Sequence, residues 1–279
     1  MNKKVSVDRS KEIDIVFRKM EFTFGKDTGK LWANNSPFIT YFWTAFSSAF
    51  PDGELFFMNS GRYFKDDIKS PELKKQFEKF IRQEAHHTYQ HKQMNAMMRE
   101  QGFDVDKYEG WFAGAIKKIA PKFSRKIQLA ASVALEHFTA YFANQYLTES
   151  YLTEGFDPEM KALWSWHSVE ELEHKGVLYD LYNEIDGDYL TRVVTLPFAW
   201  AFLFVITSAA LIDMLRQDKK LLNWKDNLKG SVYVARFLLS SIPEFLRYFK
   251  PSFHPWDDDN RDLIGLWHKD NKHYIQSAA

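Results

Sequence analysis

Two stretches of this chain, Glu84-Ala85-His86-His87-Thr88-Tyr89-Gln90-His91 and His167-Ser168-Val169-Glu170-Glu171-Leu172-Glu173-His174, answer each other almost ligand for ligand. Both contain Glu-x-x-His. At about 3.6 residues per helical turn, Glu84, His87 and His91 fall on one face of a helix, as do His167, Glu171 and His174. Each helix would offer one carboxylate and two imidazoles. Ahead of each stretch stands a lone acid in an apolar run, Glu54 in Gly53-Glu54-Leu55-Phe56-Phe57 and Glu136 in Ala134-Leu135-Glu136-His137-Phe138. The order Glu, Glu-x-x-His, Glu, Glu-x-x-His is the ligand set of helix bundles that hold two metal ions between facing helices. The alternative is a solvated face laced with i,i+4 ion pairs. It fits poorly at Glu136, whose neighbours are Ala, Val, Leu and Phe, because a carboxylate buried there must be paired or bound to metal.

The rest of the composition narrows the chemistry. Among the 279 residues there is no cysteine, which excludes disulfides, thiolate zinc sites and iron-sulfur clusters and leaves oxygen and nitrogen ligands. Mixed carboxylate and imidazole ligation suits two iron ions, or iron with manganese, or manganese alone, and zinc is compatible by ligand type. Formal net charge is zero and no basic stripe appears, so nucleic acid is not an expected partner. Residues 1–11 have charge but no apolar core of signal-peptide length, so a cytoplasmic setting is expected. The aromatic content of 17% would dry the interior around a reactive centre, or simply fill a bulky core.

Helices must place the ligands, and the chain reads as all-α. Residues 1–36 are expected as an N-terminal arm, of which 12–24 partly alternate apolar and polar residues as a short strand or extended segment does. Residues 37–188 are expected as the bundle that holds the metals, and 189–279 as an apolar and amphipathic helical extension. Ser36-Pro37, Ser70-Pro71 and Asp157-Pro158 are capped helix starts. The Pro51-Asp52-Gly53 turn signature predicts a break in the first helix, with Glu54 opening a second piece. A second helix is predicted from 71 to about 100, a long connection over 102–122, a third helix over 123–153, and a fourth from Pro158 to about Glu184. His86 is read as a surface or supporting histidine. The register of Glu-x-x-His favours Glu171 over Glu170 as the ligand.

The final third changes character. No charged residue occurs from Val193 to Ile212, a run long enough to span or dip into a bilayer, with Pro197 near its start. Arg216, Lys219, Lys220 and Lys225 follow, and then an amphipathic stretch over 228–250. That combination predicts either an interfacial anchor or a buried helix lining a hydrophobic tunnel or a dimer interface. The protein would then be cytoplasmic and peripheral to the membrane or anchored on it. Pro251 to Asp259 reads as a rigid turn before a last helix at 260–268, with His254 and the Asp run as a weaker metal candidate.

At these residues the sequence resembles the ferritin-like superfamily of carboxylate-bridged dimetal proteins, and within it the bacterial predicted metal-dependent hydrolases. The resemblance runs from the Glu-Ala-His-His segment through Glu-His-Phe and Val-Glu-Glu-Leu-Glu-His to Phe-His-Pro-Trp. The His167-x3-Glu171-x2-His174 spacing is also similar to that of the p-aminobenzoate N-oxygenase type of diiron enzyme. The resemblance implies a ferritin-like four-helix bundle with a dimetal centre, with Glu54, Glu84, His87, Glu136, Glu171 and His174 as core ligands and His91 and His167 as added terminal ones. It implies a non-haem diiron oxidase or oxygenase acting with dioxygen and an electron donor on a hydrophobic or lipid-like small molecule. A dinuclear metal-dependent hydrolase of an ester or phosphoester is the alternative, and a non-enzymatic metal-binding protein a further one. A membrane surface and a second copy of the chain are the candidate macromolecular partners.

Overall fold

A computed structural model describes residues 14–25 and 28–272. Among the described residues the fold is all-helical, with a single isolated bridge between Ala33 and Phe156 and no strand. In chain order the helices are α1 (Pro37–Arg62), α2 (Pro71–Glu100), α3 (Val105–Ile119), α4 (Arg125–Thr148), α5 (Pro158–His174), α6 (Val177–Glu184), α7 (Tyr189–Gln217), α8 (Trp224–Ser240), α9 (Ile242–Arg247) and α10 (Arg261–Asp270).

The capped starts form as the sequence predicts. Ser36 Oγ accepts from Ile39 N ahead of Pro37, Ser70 Oγ accepts from Leu73 N ahead of Pro71, and Asp157 accepts from Glu159 N and Met160 N ahead of Pro158. Asp226 of α8 reinforces the first cap, accepting from Ser36 Oγ at 2.7 Å and from Phe38 N at 3.0 Å.

The predicted break before Glu54 does not occur, since α1 continues through Pro51. Proline has no N–H to give the Ser47 carbonyl one turn earlier. Asn95 of α2 supplies one instead, its Nδ2 lying 3.4 Å from Ser47 O. Glu54 is therefore held in the middle of a rigid helix. The 102–122 connection also differs from expectation, because α3 occupies most of it. Val105, Tyr108 and Phe112 recur at three and four residues and are buried. The fourth predicted helix is interrupted at Lys175 and Gly176, dividing it into α5 and α6. Lys175 is buried there, its Nζ donating to Asp258 O at 2.7 Å and to Asn260 Oδ1.

Four helices, α1, α2, α4 and α5, surround the polar interior, and two further layers cover them. Residues 14–25 form an extended segment rather than a strand. Its polar contacts run to α2 and α5: Val16 N donates to Glu173 at 3.1 Å, Gln83 to Val16 O at 3.1 Å, Gln90 to Met20 O at 2.6 Å, and Met20 N to His86 Nε2 at 2.9 Å. The predicted arm residues 1–13 lie outside the described residues. On the opposite side α7 packs along α1 and α4, where Trp200 Nε1 donates to Ala134 O at 2.9 Å. That helix is long and apolar enough to cross a membrane, but a third of its most apolar window is buried against the body of the protein.

Candidate metal centre

All eight residues singled out by spacing lie in the interior. Glu54 sits on α1; Glu84, His87 and His91 on α2; Glu136 on α4; and His167, Glu171 and His174 on α5, each buried. Six of them converge as two groups whose ligand atoms lie within 4.8 Å of one another, Glu54 with His87 and His167, and Glu84 with Glu171 and His174; His91 and Glu136 belong to neither. Glu171 stands between the groups. Its Oε1 is 3.1 Å from His167 Nε2, 3.6 Å from His87 Nδ1 and 3.5 Å from His174 Nε2. Glu136 Oε2 lies 3.5 Å from His174 Nε2, beside the second group.

The hydrogen-bond pattern tests whether these residues suit metal ions. Buried polar atoms in native proteins are nearly always hydrogen-bonded. Here seven of the side chains each keep a buried atom without a well-aligned partner: Glu54 Oε1, both oxygens of Glu84, His87 Nδ1, Glu136 Oε1, His167 Nε2, Glu171 Oε2 and His174 Nε2, although His174 Nε2 lies 3.1 Å from Glu84 Oε1 and His167 Nε2 lies 3.1 Å from Glu171 Oε1. Leaving each unsatisfied would cost about 1–3 kcal/mol. Each imidazole, by contrast, has its other nitrogen engaged. Glu170 Oε2 meets His87 Nε2 at 3.0 Å, Gln83 Oε1 meets His174 Nδ1 at 3.0 Å, and His91 Nε2 meets His167 Nδ1 at 2.9 Å. One nitrogen held and one presented is how a metal-ligating histidine is oriented.

His91 occupies a different place from the other two α2 residues. Its Nδ1 is 2.9 Å from Ser47 Oγ and its Nε2 is engaged by His167, so both ring nitrogens have partners. Phe50 stacks on its ring at 4.6 Å and meets the ring of His167 at 4.7 Å. Trp166 lies against His87 at 4.8 Å and Phe80 against His174 at 5.0 Å, so aromatic faces exclude water from the imidazoles.

Crowding of acids in this dry interior is visible in their proton affinities. Burial, reinforced by the charges of neighbouring carboxylates, pushes Glu54 and Glu136 well above the ordinary range. Burial likewise raises Glu84 to about 7, against the pull of His174. Burial works to raise Glu171 too, but His174 and His167 overcome it and hold that carboxyl well below its usual value. His174 is pushed well above the usual imidazole value, its burial outweighed by Glu171 and Glu136. His87 and His91 move the other way, lowered by burial and by the nearby His167.

A supporting layer escapes the spacing argument. Arg18, from the extended segment, is fully buried and reaches Glu170 at 3.0 Å and Glu173 at 2.5 Å. Trp166 Nε1 donates to Glu170 at 2.9 Å, so Glu170 joins Arg18 and Trp166 to His87. Burial raises the Glu170 carboxyl to about 8 although Arg18 opposes it. The sequence signal for this layer is slight, Arg18 next to Lys19 in a mixed segment and the two further acids Glu170 and Glu173 around Glu171. His86 serves as a supporting histidine that anchors Met20. His254, the weaker metal candidate, instead accepts from Trp256 N at 3.1 Å and pairs with Asp180 at 3.1 Å, closing the turn at Pro255–Asp257.

A family model described as predicted metal-dependent hydrolase matches residues 16–259. The chain belongs to that family. The matched span takes in every residue of both groups, the buried Arg18 and the His254 turn. No curated protein and no solved structure matches the chain.

Proposed function

We propose that the protein is a dinuclear metal-dependent hydrolase built on a ferritin-like four-helix bundle of α1, α2, α4 and α5. The observation that carries this reading is the convergence of seven buried side chains, each with an atom that lacks a well-aligned hydrogen-bond partner. Glu54, His87 and His167 would hold one ion, Glu84 and His174 the other, Glu171 both, and Glu136 would complete the second. Four carboxylates bring four negative charges, which two divalent cations neutralise, whereas an apolar interior tolerates no such uncompensated charge. Oxygen-rich ligation favours iron or manganese, with zinc compatible. Bound there, such ions polarise a carbonyl or phosphoryl oxygen and lower the pKa of water.

The chain's own contribution is orientation and exclusion of bulk water. Gln83 and Glu170 fix the ring orientations of His174 and His87, and His91 fixes that of His167, acting as a positioning residue. Phe50, Phe80 and Trp166 keep the imidazoles dry. These rings also favour a second reading, oxidation of an apolar substrate by dioxygen at a diiron centre, since a dry aromatic lining shelters reactive species from water.

Elemental analysis tests the centre: two metal ions per chain are expected in the wild type, and far fewer in Glu84→Ala and Glu171→Ala. Unchanged metal in both variants would remove the site assignment. Ester and phosphodiester cleavage by the zinc or manganese form supports hydrolysis, whereas dioxygen uptake by the ferrous form, with no cleavage under any metal, would replace it with oxidation.

We also infer contact with a lipid surface. Phe198, Val205 and Ile212 on α7 and Leu228, Val232 and Leu239 on α8 are exposed, with Lys225 and Lys229 beside the α8 row, an apolar face with flanking cations that suits an anionic bilayer.

A further inference from the structure

Two apolar cavities flank α7, and they stand in different relations to the metal centre. The larger, about 620 Å³, lies among α1, α4, α7 and α8. Its inner wall includes Phe46, which packs on Phe50 and Trp164, and those rings in turn lie on His91. Two layers of aromatic rings therefore separate it from the imidazoles. The second cavity, about 550 Å³, lies among α1, α3, α4 and α7. Gly53 and Leu135 line it, and each directly precedes a carboxylate of the centre, Glu54 and Glu136.

The wall of the second cavity decides what it can hold. Phe112, Ala131, Ala199 and Phe202 represent its apolar lining, and no charged side chain contributes. The three polar side chains present are bonded elsewhere: Gln128 Nε2 donates to Ala120 O and Phe123 O, both at 3.0 Å, Thr195 Oγ1 to Thr191 O at 2.6 Å, and the Thr191 side chain bonds with Asp188. A ligand with polar groups along its length would strand them without partners. Protein interiors are otherwise packed like organic crystals, and 550 Å³ falls within the size of ligand pockets. At the outer end Ile119, Phe123, Val194 and Phe198 are exposed, so the lining continues to the surface as an apolar rim.

We propose that this slot binds a single hydrocarbon chain, entering past Phe123 and Phe198, with the polar end of the molecule directed toward Glu54 and Glu136. The substrate class is a long-chain acyl or alkyl compound. The direction of the chain rests on the dimetal reading of the centre, whereas occupancy of the slot does not.

The test uses metal-free, full-length protein and displacement of cis-parinaric acid by uncharged n-alkanols of increasing length. The Kd is expected to fall roughly fourfold per added methylene, the equivalent of about 0.8 kcal/mol, and to level off once the slot is filled. Ala131→Trp and Ala115→Trp fill the slot from α4 and α3, and each should weaken binding at least tenfold with the thermal unfolding transition retained. Ala235→Trp, in the larger cavity, should leave binding unchanged. Wild-type affinity in both slot variants, or loss only in Ala235→Trp, overturns the proposal. Chain binding by a protein that takes up no metal would sink the dimetal reading and leave the slot. Two bound metals without chain binding would sink the slot alone.

Discussion

Replacing Arg18 with methionine probes the layer behind the metal centre. Its guanidinium is the cation that meets both Glu170, at 3.0 Å, and Glu173, at 2.5 Å, and all three side chains are fully buried. Methionine keeps much of the volume and removes the charge, leaving the buried Glu173 carboxylate without its guanidinium, beside Glu170, whose carboxyl burial raises to about 8. Breaking a buried pair by removing one partner costs about 3–5 kcal/mol. With a urea dependence of about 3 kcal/mol/M, the unfolding midpoint should fall by roughly 1–2 M. Glu173 keeps donors from Val16 N and Gln83, so Arg18→Met/Glu173→Gln should be less destabilised than the sum of the single changes. Because Glu170 also holds His87, metal affinity in Arg18→Met should weaken roughly 10–100-fold. Equilibrium urea unfolding of metal-free protein and competitive metal titration measure the two effects separately. A midpoint within about 0.3 M of wild type, which is about 1 kcal/mol, would show that the buried pair is not what holds this layer together.

Other consequences follow from the same geometry. In metal-free protein Glu84 has its pKa raised from 4.5 to about 7. Its protonated form stabilises the fold below about pH 4.5, and that contribution is lost as pH rises through about 7, by about 3 kcal/mol. His87 and His91, with lowered values, oppose this below about pH 6.5, so Glu84→Gln should shift the pH–stability curve of the metal-free protein upward most at neutral pH. An unchanged curve in urea unfolding would refute the crowding argument. His91→Ala should retain metal by elemental analysis but bind it roughly 10–100-fold more weakly, as expected of a group that orients a ligand; complete loss of metal would make it a ligand. Vesicles containing anionic lipid should co-float the protein, and Leu228→Glu/Val232→Glu should release it. Recovery of all wild-type protein in the soluble fraction would leave the exposed apolar face without a lipid partner.

The parts of this structure legible in the sequence are those governed by neighbours along the chain. Serine or aspartate before proline marks three helix starts, and three-residue spacing aligns His87 with Glu84 and His174 with Glu171 on inward faces. What was not legible depends on distant groups. Pro51 stays inside a helix because Asn95 reaches the Ser47 carbonyl, and no local signal reports that. Gly110 and Gly114 lower the helix propensity of the stretch expected as a connection, whereas Val105, Tyr108 and Phe112 bury one side of α3 and prevail over that propensity. The position of His91 depends on Ser47 and His167, so its helical face alone could not separate a ligand from a support. Nothing local distinguishes Arg18 from its neighbour Lys19, and its role emerges only with α5 beside it.

The contact between Arg18 and Glu170 spans 152 positions of the chain. Loop closure over such a distance carries an entropic cost that shorter-range contacts do not, so pairings of this kind are made after local helices and their neighbours have formed. During synthesis the arm emerges early and can meet α2 through Gln83, His86 and Gln90, but Arg18 has no carboxylate to meet until α5 has been made. Until then the guanidinium that meets Glu170 and Glu173 is not in place. On the dimetal reading, ions would have that interval in which to reach the carboxylates before Arg18 docks. On that reading, metal uptake should be faster before Arg18 docks than by a chain already folded without metal.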